Sequence, residues 1–341
     1  MHELTPDDTV PQPAPPSAPS ETVQPLAIVP PKAVIPPPAL VVARPVGTMT
    51  IDEYLEPRPR NWRFPLFLFL ATCVTTFYAG TIHWRPGLLS WDYGTLADMR
   101  LHWQSGLIYM LAVLGILLAH EMGHFLMTVR YRIPASYPIF IPLPFGFTGT
   151  MGAVIGMEGS RANRRQMFDI GLAGPLAGLV VAIPILCVGI MWGEFVVPKA
   201  GTSISGDPLL AKLLFTLLRP DYSPEKEIVV NPFYMAGWVG MLITGLNMMP
   251  VSQLDGGHVI YCLFGKRAHY IARAFLLGAM AWMITTENYQ WTLMVVLVTV
   301  IGTDHPPTSN DKIPLGWGRT ILGLVSAIAI PILCFISNPL E

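Results

Sequence analysis

The 341-residue chain is 52% hydrophobic and only 13% charged, with 21 Lys and Arg against 22 Asp and Glu, where a soluble domain carries about 25% charged residues. Its mean hydropathy is +0.48, and the apolar residues fall in long uncharged runs, which excludes a pair of soluble domains and predicts a multi-pass integral membrane protein. Balanced charge leaves no nucleic-acid footprint, so the expected partners are the lipid bilayer and proteins within it. Cys73, Cys187, Cys262 and Cys334 show no C-x-x-C spacing, which argues against a disulfide framework or a cysteine metal site.

Taken in chain order, residues 1–55 hold 13 of the 34 prolines and hardly any aromatic side chain. Such a segment lacks the apolar residues to join a core, so it reads as a disordered, Pro-rich cytoplasmic tail, with 56–341 as the membrane domain. No signal- or transit-like leader is evident, which favours a bacterial cytoplasmic membrane.

Seven apolar runs follow, near 64–82, 107–128, 168–192, 232–251, 270–286, 289–302 and 319–336, against a hydrocarbon core of about 30 Å. The fold class expected is therefore an all-α polytopic membrane protein with about seven transmembrane helices. The ten-residue run 209–218 is too short to cross and suits an interfacial helix. Basic residues set the orientation: Arg58, Arg60 and Arg63, then Arg130 to Arg165, then Lys266 and Arg267, then Lys312 and Arg319. Seven crossings place all four groups on the cytoplasmic side, with the N-terminus inside and the C-terminus outside.

Between the second and third runs, Tyr137 to Ile155 mixes Pro and Gly with aromatic and β-branched residues. That composition disfavours helix and predicts an extended hairpin. So apolar a hairpin belongs at the membrane edge, buried against protein because open strand edges are not tolerated in lipid.

The second run ends in His120-Glu121-Met122-Gly123-His124. Residues four apart share a helix face, so both imidazoles can bind one Zn²⁺ ion while Glu121 reaches a water beside it. Chance supplies roughly 0.006 such matches in a chain of this composition, and ionisable groups at membrane depth are costly enough to need a purpose. A catalytic zinc needs a third protein ligand. Asp255, just beyond the fourth run, is the first choice on residue type, with His258 and the Asp304/His305 pair as rivals. Gly171, Gly174 and Gly178 in the third run read as helix-packing positions.

With these residues in view, the chain resembles the site-2 proteases, zinc metalloproteases that cleave within membranes. The resemblance rests on His120 to His124, on Gly174-Pro175-Leu176-Ala177-Gly178, and on Asn247 to Gly257, which fits the pattern N-x-x-P-x(4)-D-G. The Gly149 to Gly152 stretch further resembles the subgroup that includes chloroplast members. By resemblance, His120, His124 and Asp255 hold zinc, Glu121 activates water, Asn247 holds the substrate carbonyl or its oxyanion, and the hairpin takes an unwound transmembrane substrate as an added strand. The implied activity is zinc-dependent endoproteolysis of membrane proteins close to the cytoplasmic face. Two other classes compete with it: a transporter or metal carrier using buried His and Asp, whose mark would be an internal repeat, and a catalytically idle binder of membrane segments.

Overall fold

A computed structural model describes residues 62–85, 93–144, 147–197, 206–223, 225–251, 253–287 and 292–335. The expected tail at 1–55 lies outside the described residues.

The helices, in chain order, are α1 (Arg63–Thr81), α2 (Tyr93–Leu101), α3 (Trp103–Arg130), α4 (Arg164–Trp192), α5 (Leu209–Leu218), α6 (Pro232–Asn247), α7 (Asp255–Phe264), α8 (Ala268–Thr286), α9 (Thr292–Ile301) and α10 (Trp317–Cys334). Strands β1 (Ile139–Pro142) and β2 (Thr150–Val154) form one antiparallel pair after α3. Strands β3 (Phe195–Val196) and β4 (Glu227–Ile228) form a second pair.

Among the described residues, four helices are long and apolar enough to cross a membrane: α1, α3, α4 and α10. The remaining three expected runs also form helix, but α6 has 16 residues and α9 has 10, while α8 is 19 residues long and less apolar. The architecture is thus mainly helical with two small sheets, β1-β2 and β3-β4. Neither α2 nor the second sheet was expected, because each is too short to carry a periodic signal.

Local chemistry explains where the central helices begin. Asn163 caps α4, accepting from the backbone of Arg165 at 3.0 Å and Gln166 at 3.1 Å, while the Gln166 side chain accepts from the Asn163 amide at 3.0 Å. This closes a reciprocal capping box. Asn231 caps α6 through the Tyr234 amide, with Pro232 at the first helical position, where its missing N–H costs nothing. Pro175 and Pro184 lie inside α4 without ending it, as membrane helices tolerate when neighbours satisfy the freed carbonyls.

Helices α3, α4 and α6 pack on one another and carry most of the largest fully buried side chains, among them Tyr109, Ile116, Phe168, Leu186 and Met241. α1 lies against α3 and against β1, and α7 lies against α4 and α10. The hairpin runs in register Ile139 to Val154, Phe140 to Ala153 and Ile141 to Gly152, with an irregularity before Pro142. Its inner end docks on α1, where the Thr75 hydroxyl donates to the Gly149 carbonyl at 2.6 Å.

Gly149 has φ +72°, and a Cβ there would meet the Thr75 carbonyl oxygen at 2.5 Å. Gly149→Ala is therefore expected to lower stability by about 2 kcal/mol through backbone strain and a clash. Gly278→Ala in α8, where a Cβ meets nothing within 4 Å, should leave stability unchanged or raise it slightly. Thermal unfolding of both variants in detergent checks this; equal midpoints would refute the docking role of Gly149.

Candidate metal centre

α3 carries His120, Glu121 and His124 on its buried side, and α7 begins at Asp255. The fold brings them together: His120 Nε2 lies 3.0 Å from Asp255 Oδ2, and His124 Nε2 lies 3.3 Å from Asp255 Oδ1. Ligand atoms about 2.0–2.1 Å from a tetrahedral zinc stand roughly 3.3–3.4 Å apart, and the two imidazole–carboxylate contacts, each to a different oxygen of Asp255, lie close to that spacing. All three donor atoms lie within 4.8 Å of one another.

The tautomer of His124 also suits a metal. Its Nδ1 is 2.7 Å from the Ile170 carbonyl, an acceptor only, so Nδ1 holds a proton and Nε2 is the ring nitrogen left to a metal. His120, Glu121 and His124 are all buried. Glu121 is 4% exposed, yet it accepts no hydrogen bond from any described residue. A buried carboxylate without a protein partner is costly, and this one lines a cavity of about 130 Å³ together with the three ligand candidates.

The same cavity is lined by Asn247, the last residue of α6, by Ala153, Val154 and Ile155 at the end of β2, and by Gln253 and His258. Of the rivals for third ligand, His258 borders the cavity but stands outside the close cluster, and the Asp304/His305 pair falls elsewhere. His258 pairs with His305 at 2.6 Å. Asp304 is exposed and pairs with Arg273 at 2.8 Å.

The glycines of α4 do more than pack helices. A Cβ at Gly174 would overlap the ring of His124, and one at Gly178 would stand 3.1 Å from His120 Nδ1. Gly171 gives the same room to the Cβ of His258, at 2.9 Å. Spacing of three and four puts these glycines on one face, a signal that the sequence contains, but that the face is turned toward imidazoles depends on how α3 and α4 pair.

Comparison with known proteins supplies a family. The profile of Peptidase family M50 matches residues 108–284. The chain is 30% identical over 306 residues to "Probable zinc metalloprotease EGY1, chloroplastic" from Oryza sativa subsp. japonica, covering 82% of this chain and 51% of that protein. It is 29% identical over 230 residues to the protein of the same name from Arabidopsis thaliana, covering 64% and 41%. The Arabidopsis thaliana "Probable zinc metallopeptidase EGY3, chloroplastic" is 23% identical over 286 residues, covering 79% and 48%. The chain thus spans about half the length of the curated relatives it matches.

The names of these relatives place them in chloroplasts, so the expected bacterial cytoplasmic membrane finds no support. An argument from the first residues of a chain that spans half its relatives has no weight. What stands is an integral membrane protein.

Gly174→Ala should reduce bound zinc strongly while the helices stay folded, since the added methyl displaces the His124 ring. Gly115→Ala, on the same helix as the histidines and with nothing within 4 Å of its Cβ, should bind zinc normally. Metal content by mass spectrometry, beside circular dichroism, decides; full zinc in Gly174→Ala would overturn this placement of His124.

Proposed function

The chain belongs to Peptidase family M50, and from that premise we propose that it is a zinc-dependent intramembrane endopeptidase, cutting transmembrane protein substrates near the cytoplasmic face. The observation that carries this reading is one shared cavity, lined by the His120, His124 and Asp255 cluster, by Glu121, which has no hydrogen-bond partner among the described residues, and by the end of β2.

In this reading His120, His124 and Asp255 hold zinc, which supplies Lewis-acid polarisation of the scissile carbonyl. Glu121 takes a proton from the attacking water and delivers it to the leaving amine. The Asn247 amide, which has no hydrogen-bond partner among the described residues, donates to the carbonyl oxygen as charge develops there. The Ile170 carbonyl holds the His124 ring in orientation throughout.

Substrate recognition is assigned to β2. Among the described residues that strand pairs with β1 alone, so its second edge offers main-chain donors and acceptors to an incoming extended peptide. A transmembrane helix hides its carbonyls in its own hydrogen bonds, so it must unwind before β2 can pair with it; Gly, Pro or Asn in the substrate lowers that cost.

The finer topology belongs to the same proposal. Seven crossings, with the hairpin at the membrane edge, put the loops around Arg161 to Arg165 and Lys266 on the cytoplasmic side, with 56–341 as the catalytic unit. The competing transporter and idle-binder readings have nothing comparable: the relatives are named as metalloproteases, and Glu121 is in place.

The test separates metal binding from proton transfer. Glu121→Gln should keep zinc and cut a reporter transmembrane segment in liposomes at least about 100-fold more slowly, the usual scale of losing a general base. Alanine at His120, His124 or Asp255 should lose zinc as well. Cleavage by Glu121→Gln at the wild-type rate, or full zinc in Asp255→Ala, would refute the assignment.

A further inference from the structure

We infer that His258 accepts a hydrogen bond from the N–H of the scissile amide, and that His305 holds it in the tautomer that can do so; this rests on peptide hydrolysis at the cavity proposed above. His258 sits three positions after Asp255 in α7, on the same side of the helix, and lines the metal cavity. Its ring Nδ1 is 2.6 Å from His305 Nε2, and His305 Nδ1 is 2.5 Å from the Pro306 carbonyl.

These two contacts fix every proton on the pair. The Pro306 carbonyl can only accept, so His305 carries its proton on Nδ1. Burial lowers the pKa of His305, so it is neutral and its Nε2 offers a lone pair. His258 must then donate from Nδ1, which leaves its Nε2 unprotonated. No described side chain or backbone group bonds that nitrogen.

The His305 ring is itself held. Tyr261 stacks on it at 4.2 Å with 14° between planes, and the Tyr261 hydroxyl donates to Asp311 at 2.8 Å. His269 Nε2 lies 3.2 Å from the His305 carbonyl and donates to it. His305, Pro306 and Asp311 lie in the loop after α9, past residue 284 where the family match ends, while Tyr261 and His269 reach them from α7 and α8.

Hydrolysis gives such an acceptor work. As water oxygen adds to the carbonyl carbon, the amide nitrogen turns pyramidal, and its new lone pair must face Glu121 to receive the proton that water lost. The C–N bond then breaks and the amine leaves. The N–H already on that nitrogen points away from Glu121 and needs an acceptor. Both oxygens of Asp255 already face imidazoles, and Glu121 is engaged with the water; His258 lines the same cavity, and Nε2 is the ring nitrogen it has left to offer. His258 itself neither gains nor loses a proton in this sequence.

The test uses the full chain, zinc-loaded and labelled with ¹⁵N-histidine. The His258 ring, assigned by the signals lost in His258→Leu, should show protonated Nδ1 and bare Nε2. His305→Leu should abolish that preference and lower kcat on the liposome reporter about tenfold, with zinc content unchanged and KM within about twofold. His305→Gln, whose amide oxygen can accept from Nδ1, should restore most of both. A wild-type His258 with its proton on Nε2, an unchanged kcat in His305→Leu, or loss of zinc in His258→Leu would each overturn the inference. Failure of the underlying hydrolysis reading shows instead as cleavage that survives Glu121→Gln, while the tautomer measurement needs no turnover.

Discussion

The structure turns on how closely α3 and α4 approach. Gly123 stands so near α4 that a Cβ would meet the Ala173 carbonyl oxygen at 2.5 Å, and across the same seam Gly174 and Gly178 leave the space that the rings of His124 and His120 fill. Membrane helices gain nothing from the hydrophobic effect on meeting one another, because lipid is as apolar as their side chains. Close backbone contact supplies the attraction instead, and small residues permit it. Here the same small residues also make the pocket for two polar rings, so helix association and the chemistry share one cause.

That economy extends to the third side chain of the cluster. Asp255 follows His124 by 131 positions, and its place is set at the first residue of a short helix that packs on α4. A carboxylate at a helix N-terminus is favoured by the helix dipole. Gly256 permits the approach, since a Cβ there would overlap the Met248 carbonyl. The chain therefore turns tightly between α6 and α7, which brings Asn247 and Asp255 to the same cavity.

Much of this was legible in the residues. The H-E-x-x-H spacing is local, so it survives without knowledge of the fold, and the long apolar runs announce helices by length alone. The hairpin was readable because Pro and Gly forbid helix over Tyr137 to Ile155. Asp255 could be ranked first on residue type, but its distance from the histidines could come only from the packing of α7 on α4. The glycines looked like packing positions because spacing reveals a small face and not what that face meets. His305 was weighed only as a ligand; its contact with His258 joins a loop to a helix 47 positions away, and no sequence period encodes that. The two-residue strands β3 and β4 are below any pattern's reach.

The fastening of α7 decides which wall of the cavity can yield. At its far end Arg164 donates to the carbonyls of Cys262 at 2.6 Å and Leu263 at 3.1 Å, while Tyr261 is tied to Asp311 and the backbone of Arg164 and Ser309 joins the same loop to α4. Positive charge at the C-terminal end and a carboxylate at the N-terminal end both suit the helix dipole. Asp255 thus rides on a strut braced at its far end, and the floor of the cavity behaves as an anvil. On the same cavity, β2 pairs with β1 alone among the described residues, so that wall keeps one edge without a partner strand. In the proposed reading a guest chain meets the cavity along that edge, and the braced helix keeps the geometry around the histidines as it arrives.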